Sequence, residues 1–328
     1  MPIDGSDQSA RDRAVGALVG LAVGDAVGTT LEFARPGTFV PITDMTGGGP
    51  FGLVAGQWTD DTSMALCLAE SLVLKGGFDA MDQLRRYVRW WKEGYLSSTG
   101  RCFDIGNQTC SALAQFAATP SPRNGPTGPL NAGNGSLMRL APVAVAYWSR
   151  PVEAIRLAAD SSRTTHGNIE CVDACRYFAG LLCGAIQGRS REELLGPMFS
   201  PVPGLWDTEQ LTEKVAAVAA GSFRGKSPPQ IRGTGYVVDC LEAALWAFAS
   251  TEDFRSAVLA AVNLGLDADT TGAVCGQIAG AFYGLSGIPA TWRARLAMAE
   301  RIMELAVALA TMGGAVQSPP AEVGFGGA

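Results

Sequence analysis

Residues 16–28, Gly-Ala-Leu-Val-Gly-Leu-Ala-Val-Gly-Asp-Ala-Val-Gly, carry a glycine at every fourth position: Gly16, Gly20, Gly24 and Gly28. Far along the chain Gly272, Gly276, Gly280 and Gly284 repeat the device. A four-residue period keeps successive glycines on one slowly drifting face of an α-helix. Each costs a helix interior about 1 kcal/mol relative to alanine. Four in register therefore imply close approach of a neighbouring backbone, and the two stripes are expected to face each other at the centre of the molecule. Both runs are apolar enough to suggest membrane spans, and GxxxG in lipid marks helix pairing. The first, however, is short and carries Asp25; the second, residues 271–288, follows Asp267 and Asp269 and contains Gln277. Buried helices of a water-soluble core fit better, and no membrane association is expected.

Outward from these stripes, helical periodicity dominates. Segments 63–75, 81–92, 106–118, 152–160, 170–187, 209–220, 235–248 and 293–311 are rich in Ala and Leu, with apolar residues recurring at three and four. No series of alternating strands is visible. Gly and Pro mark loops at 46–51, 119–133, 199–204 and 227–233. The expected fold class is all-α, in one compact domain spanning 11–312, with a flexible N-terminus (1–10) and a flexible tail (313–328).

The chain has 328 residues, 47% hydrophobic and only 17% charged, enough to bury a large core. A formal charge of −6 argues against broad electrostatic attraction to nucleic acid or anionic membrane. Eight cysteines without a CxxC pair, mostly inside apolar runs, read as small buried hydrophobes rather than a disulfide framework. Residues 1–13 lack the apolar core of a secretory signal. A cytoplasmic monomer is expected.

The chemistry gathers in two clusters. Gln57-Trp58-Thr59-Asp60-Asp61-Thr62-Ser63-Met64 puts two adjacent carboxylates among hydroxyls just before an apolar helical run. Asp267-Ala268-Asp269-Thr270-Thr271-Gly272 does the same before the second glycine stripe. Either cluster alone reads as a helix cap whose acids complement the dipole. If the two meet, four carboxylates repel one another and call for cations. Hard carboxylate and hydroxyl oxygens suit Mg²⁺ or Mn²⁺ better than zinc. Cap and ligand remain alternatives at this point. No Walker loop, GxSxG or HExxH is present, and Gly47-Gly48-Gly49-Pro50 is a loop rather than a dinucleotide fingerprint.

Five ordered blocks resemble the ADP-ribosylglycohydrolase family: 20–33 (GLAVGDAVGTTLEF), 56–64 (GQWTDDTSM), 134–142 (NGSLMRLAP), 162–167 (SRTTHG) and 266–272 (LDADTTG). Segments 102–107 (CFDIGN) and 235–246 (GYVVDCLEAALW) are similar to its bacterial branch of the dinitrogenase-reductase-activating type, which acts on ADP-ribosylarginine. The resemblance implies an all-α fold around a binuclear centre of two divalent cations, Mg²⁺ or Mn²⁺. It assigns Thr59, Asp60 and Asp61 to one half of the metal site and Asp267, Asp269 and Thr270 to the other. It places Glu32 over the metals, where the residues alone suggest a surface acid. It sets Asp104 near the scissile bond, where the residues alone suggest a cap for the helix after Gly106. Asn134, Gly135 and Ser136 are implied to line the ADP-ribose cleft, where a turn and serine cap are the alternative. His166, the sole histidine, is implied to lie near the ligand or to support the cleft. Tyr236 is implied to stack on the ligand or line the target side, against an alternative of core packing.

What this implies is a metal-dependent hydrolase that frees ADP-ribose from a modified target, with N-linked arginine on protein first. Asp104 is the candidate acid/base, with Asp60, Asp61 and Asp269 completing the catalytic set. Alternatives are another ADP-ribose conjugate (serine-linked, nucleic-acid-linked or small) or a non-catalytic ADP-ribose-binding protein.

Overall fold

The two glycine-striped segments are antiparallel helices in direct backbone contact. In the computed structural model, which describes residues 5–314, a Cβ on Gly16, Gly20 or Gly24 would lie 2.3, 2.2 or 2.0 Å from the carbonyl oxygen of Gly280, Gly276 or Gly272. The reverse contacts are as close, 2.0 Å from Gly276 to the Gly20 oxygen and from Gly280 to that of Gly16. Any side chain there would push the helices apart. The expected meeting of the stripes therefore holds, with one correction: Gly284 continues no stripe. It adopts φ 75° and breaks the second helix, so the Gly16 face packs on its backbone.

Around this pair the chain is built of helices, and among the described residues only isolated bridges represent β-structure. The first half comprises α1 (Gly5–Gly28), a 3-10 turn (Thr29–Leu31), α2 (Asp60–Lys75), α3 (Ala80–Glu93), α4 (Asn107–Ala118), α5 (Ala141–Ala146), α6 (Pro151–Arg163) and α7 (Ile169–Ile186). The second comprises α8 (Arg191–Leu194), α9 (Leu205–Thr208), α10 (Glu213–Ala219), α11 (Val237–Ala249), α12 (Phe254–Val262), α13 (Ala268–Gly287), α14 (Ala290–Arg295) and α15 (Ala299–Gly314). α1 and α13 form the central pair; α12 and α11 pack on α13, α15 on α1, and α6 pairs with α7. Trp58, Trp90 and Trp292 are wholly buried in the single core. The segment Gln8–Leu31 has the length and hydropathy of a membrane span, yet 94% of its most apolar window is buried within the protein.

Several boundaries differ from the sequence reading, for tertiary reasons. The run at 293–311 is two helices. Between them Ala297 donates its N–H to the Gly56 carbonyl at 2.9 Å and accepts from the Trp58 indole at 3.1 Å, while Met298 sits at φ 53°. The helix expected from 209 begins at Glu213, because the Asp173 carboxylate takes the Thr212 N–H at 2.7 Å. Helix α12 escapes the periodicity reading and is capped by Asp253 at the Ser256 N–H. α1 starts at Gly5, inside the segment assigned to a flexible N-terminus, and α15 ends at Gly314; the remainder of the assigned tail lies outside the described residues.

For the site, one consequence matters. The α1–α13 register brings the C-terminal end of α1 to the N-terminal end of α13: a Cβ on Gly28 would touch the Ala268 oxygen and the Asp269 backbone at 2.4 Å each.

Candidate active site

Three chain segments converge where the C-terminal end of α1 meets the N-termini of α2 and α13. Asp25, the one charge within the first glycine stripe, is fully buried and reaches across to α2. Its carboxylate accepts the N–H groups of Thr59 (2.9 Å) and Thr62 (3.0 Å) and both their hydroxyls (3.0 and 2.6 Å). Glu32 does the same for α13, accepting from the N–H of Ala268 at 2.9 Å and, longer, of Asp269 at 3.4 Å. Helix starts need such acceptors. Both are thus capped by acids from the first segment, and neither Thr59 nor Asp267, the residues at the cap positions, makes a side-chain cap bond.

Most of the capping thus comes from outside the two clusters; within the second, Asp269 Oδ1 takes the Thr270 N–H at 2.7 Å. Asp60, Asp61 and Asp269 are buried, Asp267 is half-buried, and the four gather in one well. Thr270 Oγ1 lies 3.4 Å from Asp61 Oδ2, joining the two halves, and Thr59 Oγ1 lies 3.2 Å from that same oxygen. Asn134 donates its amide to Asp267 Oδ2 at 2.8 Å. Carboxylate oxygens of Glu32, Asp104 and Asp269 all lie within 4.8 Å of one another.

Glu32 is buried, which corrects the surface-acid alternative. Asp104 makes no cap for α4, whose cap position is Gly106. Instead it stands at φ 58°, a left-handed conformation that costs a non-glycine residue energy and aims its carboxylate inward. Phe33 (φ 58°) and Leu266 (φ 60°) flank the site in the same conformation, pinned by the bonds Phe33 N–H to Leu266 O and Leu266 N–H to Ala34 O.

The electrostatics follow from burial and crowding. Burial, then the charge of Asp269, pushes Asp25 and Asp267 up to about 7. Asp104 rises to about 9 by burial, again followed by Asp269. Asp60 and Asp61 are driven well above the carboxylate range by burial, then by Asp104 and Asp25 respectively, and Glu32 is strongly raised by burial and Asp269. Among the described residues no Lys or Arg lines the inner chamber to offset the acids. Asp61 Oδ1 is enclosed without a hydrogen-bond partner among the described residues. A buried orphaned oxygen, surrounded by hard oxygen donors with no counter-charge from the protein, fits a divalent cation.

Above the well is a cleft in two chambers. The inner, about 370 Å³, is lined by Glu32, Phe33, Asp60, Asp104, Asn134, Gly135, His166, Asp267, Asp269 and Thr270. The outer, about 1160 Å³, is walled by Gln108, Leu130, Asn131, Glu170, Lys214 and Tyr236. Asn107, Gln108, Gly133 and Gly235 border both. The 131–135 loop is held to the start of α11 by the bonds Asn134 N–H to Gly235 O and Val237 N–H to Ala132 O. Tyr236 stands on the outer wall, partly buried against the core, its hydroxyl donating to Glu170 at 2.7 Å and accepting from Lys214 at 2.9 Å. The Ser136 hydroxyl faces away from the cleft, accepting from Ser162 (2.8 Å) and Cys175 (3.4 Å) behind the wall.

The structure thus brings together Glu32, Asp60, Asp61, Asp104, Asp267, Asp269, Thr59 and Thr270, lines the inner chamber with Asn134, Gly135 and His166, and sets Tyr236 in the outer one. Asp25, Phe33 and Lys214 escaped the sequence reading. Asp25 alone carried a signal, as the single charge in an apolar stripe; nothing in the sequence marked the other two.

The chain is thus an all-α scaffold that sinks a carboxylate well beneath a two-chambered cleft. A family model described as ADP-ribosylglycohydrolase matches residues 6–319. ADP-ribosylarginine hydrolase Tri1 of Serratia proteamaculans (strain 568) is 45% identical over 296 residues, covering 90% of this chain and 78% of that protein. ADP-ribosyl-[dinitrogen reductase] glycohydrolase of Rhodospirillum rubrum is 34% identical, covering 88% of this chain and 92% of that one. A solved structure titled ADP-ribosylglycohydrolase-related protein complex superposes with a TM-score of 0.82 at 43% identity, over 93% of this chain and 99% of that chain. The chain belongs to the ADP-ribosylglycohydrolase family and is a glycosidic-bond hydrolase.

Proposed function

We propose that this enzyme cleaves the N-glycosidic bond joining ADP-ribose to an arginine side chain of a modified protein. The observation that carries the reading is the meeting of two acid-and-threonine helix starts beneath a cleft whose chambers, about 370 and 1160 Å³, have room for a nucleotide sugar. It is joined by the similarity to a relative named as an ADP-ribosylarginine hydrolase. Thr59, Asp60 and Asp61 from α2, with Asp267, Asp269 and Thr270 from α13, would hold two divalent cations, Mg²⁺ or Mn²⁺. Such ions fix and polarise ribose hydroxyls and activate water.

The chain's own groups supply the rest. Asp104 lies in the inner chamber, where in the cation-free protein burial and then Asp269 push its carboxyl up to about 9, so that it is suited to carry a proton. It can give that proton to the departing guanidine nitrogen and then, as carboxylate, take one from the attacking water. Positive charge develops on the ribose as the C–N bond breaks, and a well of carboxylates beneath it stabilises that charge. The larger outer chamber accommodates the remainder of ADP-ribose and the arginine-bearing segment. All eight cysteines are free, in keeping with a reducing, cytoplasmic setting.

The test is release of ADP-ribose from an arginine-ADP-ribosylated protein, with Mg²⁺ or Mn²⁺ and again with chelator. Metal-dependent release is expected, and Asp269→Ala should abolish turnover and weaken cation binding. Full activity of that variant would sink the metal assignment. No release despite ADP-ribose binding would move the reading to another linkage.

A further inference from the structure

Behind the cleft wall a hydrogen-bond chain ends on the protein's single histidine. Arg139 is wholly buried. Its guanidinium donates Nη1–H to the Gly135 carbonyl and Nη2–H to Thr165 Oγ1 at 2.7 Å, with longer contacts of 3.4 Å to Ser161 O and Thr164 Oγ1. The Tyr87 ring lies 4.9 Å from it. Arginine has donors only, so the Thr165 hydroxyl must accept from it. That hydroxyl, itself fully buried, has one proton to place. Its other contact among the described residues is His166 Nδ1, at 2.8 Å. The proton therefore goes to Nδ1, which becomes an acceptor.

A neutral imidazole whose Nδ1 accepts must carry its own proton on Nε2. The ring is kept neutral by burial first and by the Arg139 charge second, both lowering its pKa well below the usual histidine range. The Nε2 edge lies against the glycines of the 133–135 loop. A Cβ on Gly135 would fall 2.7 Å from Cε1 and 2.9 Å from Nε2, and one on Gly133 3.6 Å from Nε2. His166 lines the inner chamber, and its Nε2 has no protein partner among the described residues.

We propose that Arg139, acting through the Thr165 hydroxyl, is a positioning residue that locks His166 as a fixed Nε2–H donor presented to an oxygen of ADP-ribose. The ligand half of this statement rests on the function proposed above; the tautomer half does not. Gly135 belongs to the same device. It offers its carbonyl to Arg139 on one side and, lacking a Cβ, leaves room for the imidazole on the other.

With one histidine in the chain, ¹⁵N-histidine labelling gives a single imidazole, read by long-range ¹H–¹⁵N correlation on the full-length Mg²⁺-loaded protein. Wild type should show a protonated Nε2 and an unprotonated, hydrogen-bonded Nδ1. ADP-ribose should move the Nε2 and its proton. Thr165→Val should release the lock, giving mixed tautomers, and weaken ADP-ribose binding by about tenfold. Thr165→Ser should restore both. Arg139→Met frees Thr165 to accept from the ring and should also mix the tautomers; if it fails to fold, wild type and the threonine pair decide. A wild-type ring protonated on Nδ1, or a Thr165→Val spectrum unchanged from wild type, would overturn the lock. Calorimetrically detected ADP-ribose binding that leaves Nε2 unmoved would overturn the donor role. None of these readouts needs turnover, so failure to hydrolyse ADP-ribosylarginine would count against the proposed function alone.

Discussion

At the scale of the residue, the site rests on a division of labour among acids. Asp25 and Glu32 close the N-termini of α2 and α13 from outside, so that of the aspartates within those helices only Asp269 takes a first-turn N–H, that of Thr270. Asp25 accepts four hydrogen bonds in a fully buried setting, two from N–H groups and two from hydroxyls. Asn at this position offers one accepting oxygen and an amide that faces donors. Asp25→Asn should therefore cost about 2 kcal/mol or more in stability and also loosen the Thr59–Asp61 geometry. Thermal unfolding and cation titration of the purified variant would measure both. A variant with wild-type Tm and wild-type cation affinity would show that Asp25 neither caps α2 nor supports the well. The acid-and-threonine clusters were legible in the sequence because their members are neighbours in it. The capping roles of Asp25 and Glu32 were not, because an acid capping a helix from another segment leaves no local spacing to read. The left-handed backbone of Asp104 was equally invisible: its neighbours Ile105 and Gly106 suggest an ordinary helix cap.

At the scale of the element, the α1–α13 pair determines whether the site exists. The stripes were readable from period alone, since repeated glycine is costly in a helix unless something occupies the space left by Cβ. What could not be read was the end of the second stripe. Gly284 keeps the period, but at φ 75° it breaks the helix, its Cα facing the Asp12 carboxylate, which accepts from the Ser286 hydroxyl at 2.8 Å. Gly24 is the position where packing and chemistry meet. A Cβ there would stand 2.0 Å from the Gly272 oxygen, one residue from Asp25 and three from Asp269. Gly24→Ala gains helix propensity but must force the backbones apart, at a net cost of about 3 kcal/mol or more. A fall in Tm of roughly 5–10 °C, with loss of cation binding, is the expected result. Gly106→Ala, whose Cβ would meet nothing within 4 Å, should change Tm little and serves as the comparison. Equal Tm values for the two variants would mean that the helices can separate without penalty.

At the scale of the whole molecule, folding concentrates negative charge that the protein does not neutralise, and this links stability to pH and to cations. In the cation-free protein Asp25 and Asp267 are raised to about 7 and Asp104 to about 9, each from an ordinary value of 3.8. An acid with a raised folded-state pKa keeps its proton in the native state at a pH where the unfolded chain has released it. Stability then falls as pH rises from the unfolded value through the folded one. For these three groups the loss begins above about pH 4 and continues to about pH 9. A divalent cation reverses the balance, since it binds the deprotonated carboxylates and only in the folded arrangement. In chelator, Tm should decline between about pH 5.5 and pH 8. The rise in Tm on adding Mg²⁺ or Mn²⁺ should be small at the lower pH and large at the higher, because at low pH protons already occupy the oxygens that the ion needs. Differential scanning fluorimetry at both pH values, with and without cation, reads the effect directly. A cation shift equal at the two pH values would mean that the ion does not bind through these carboxylates. A pH-independent Tm in chelator would mean that their charges are offset by groups outside the well.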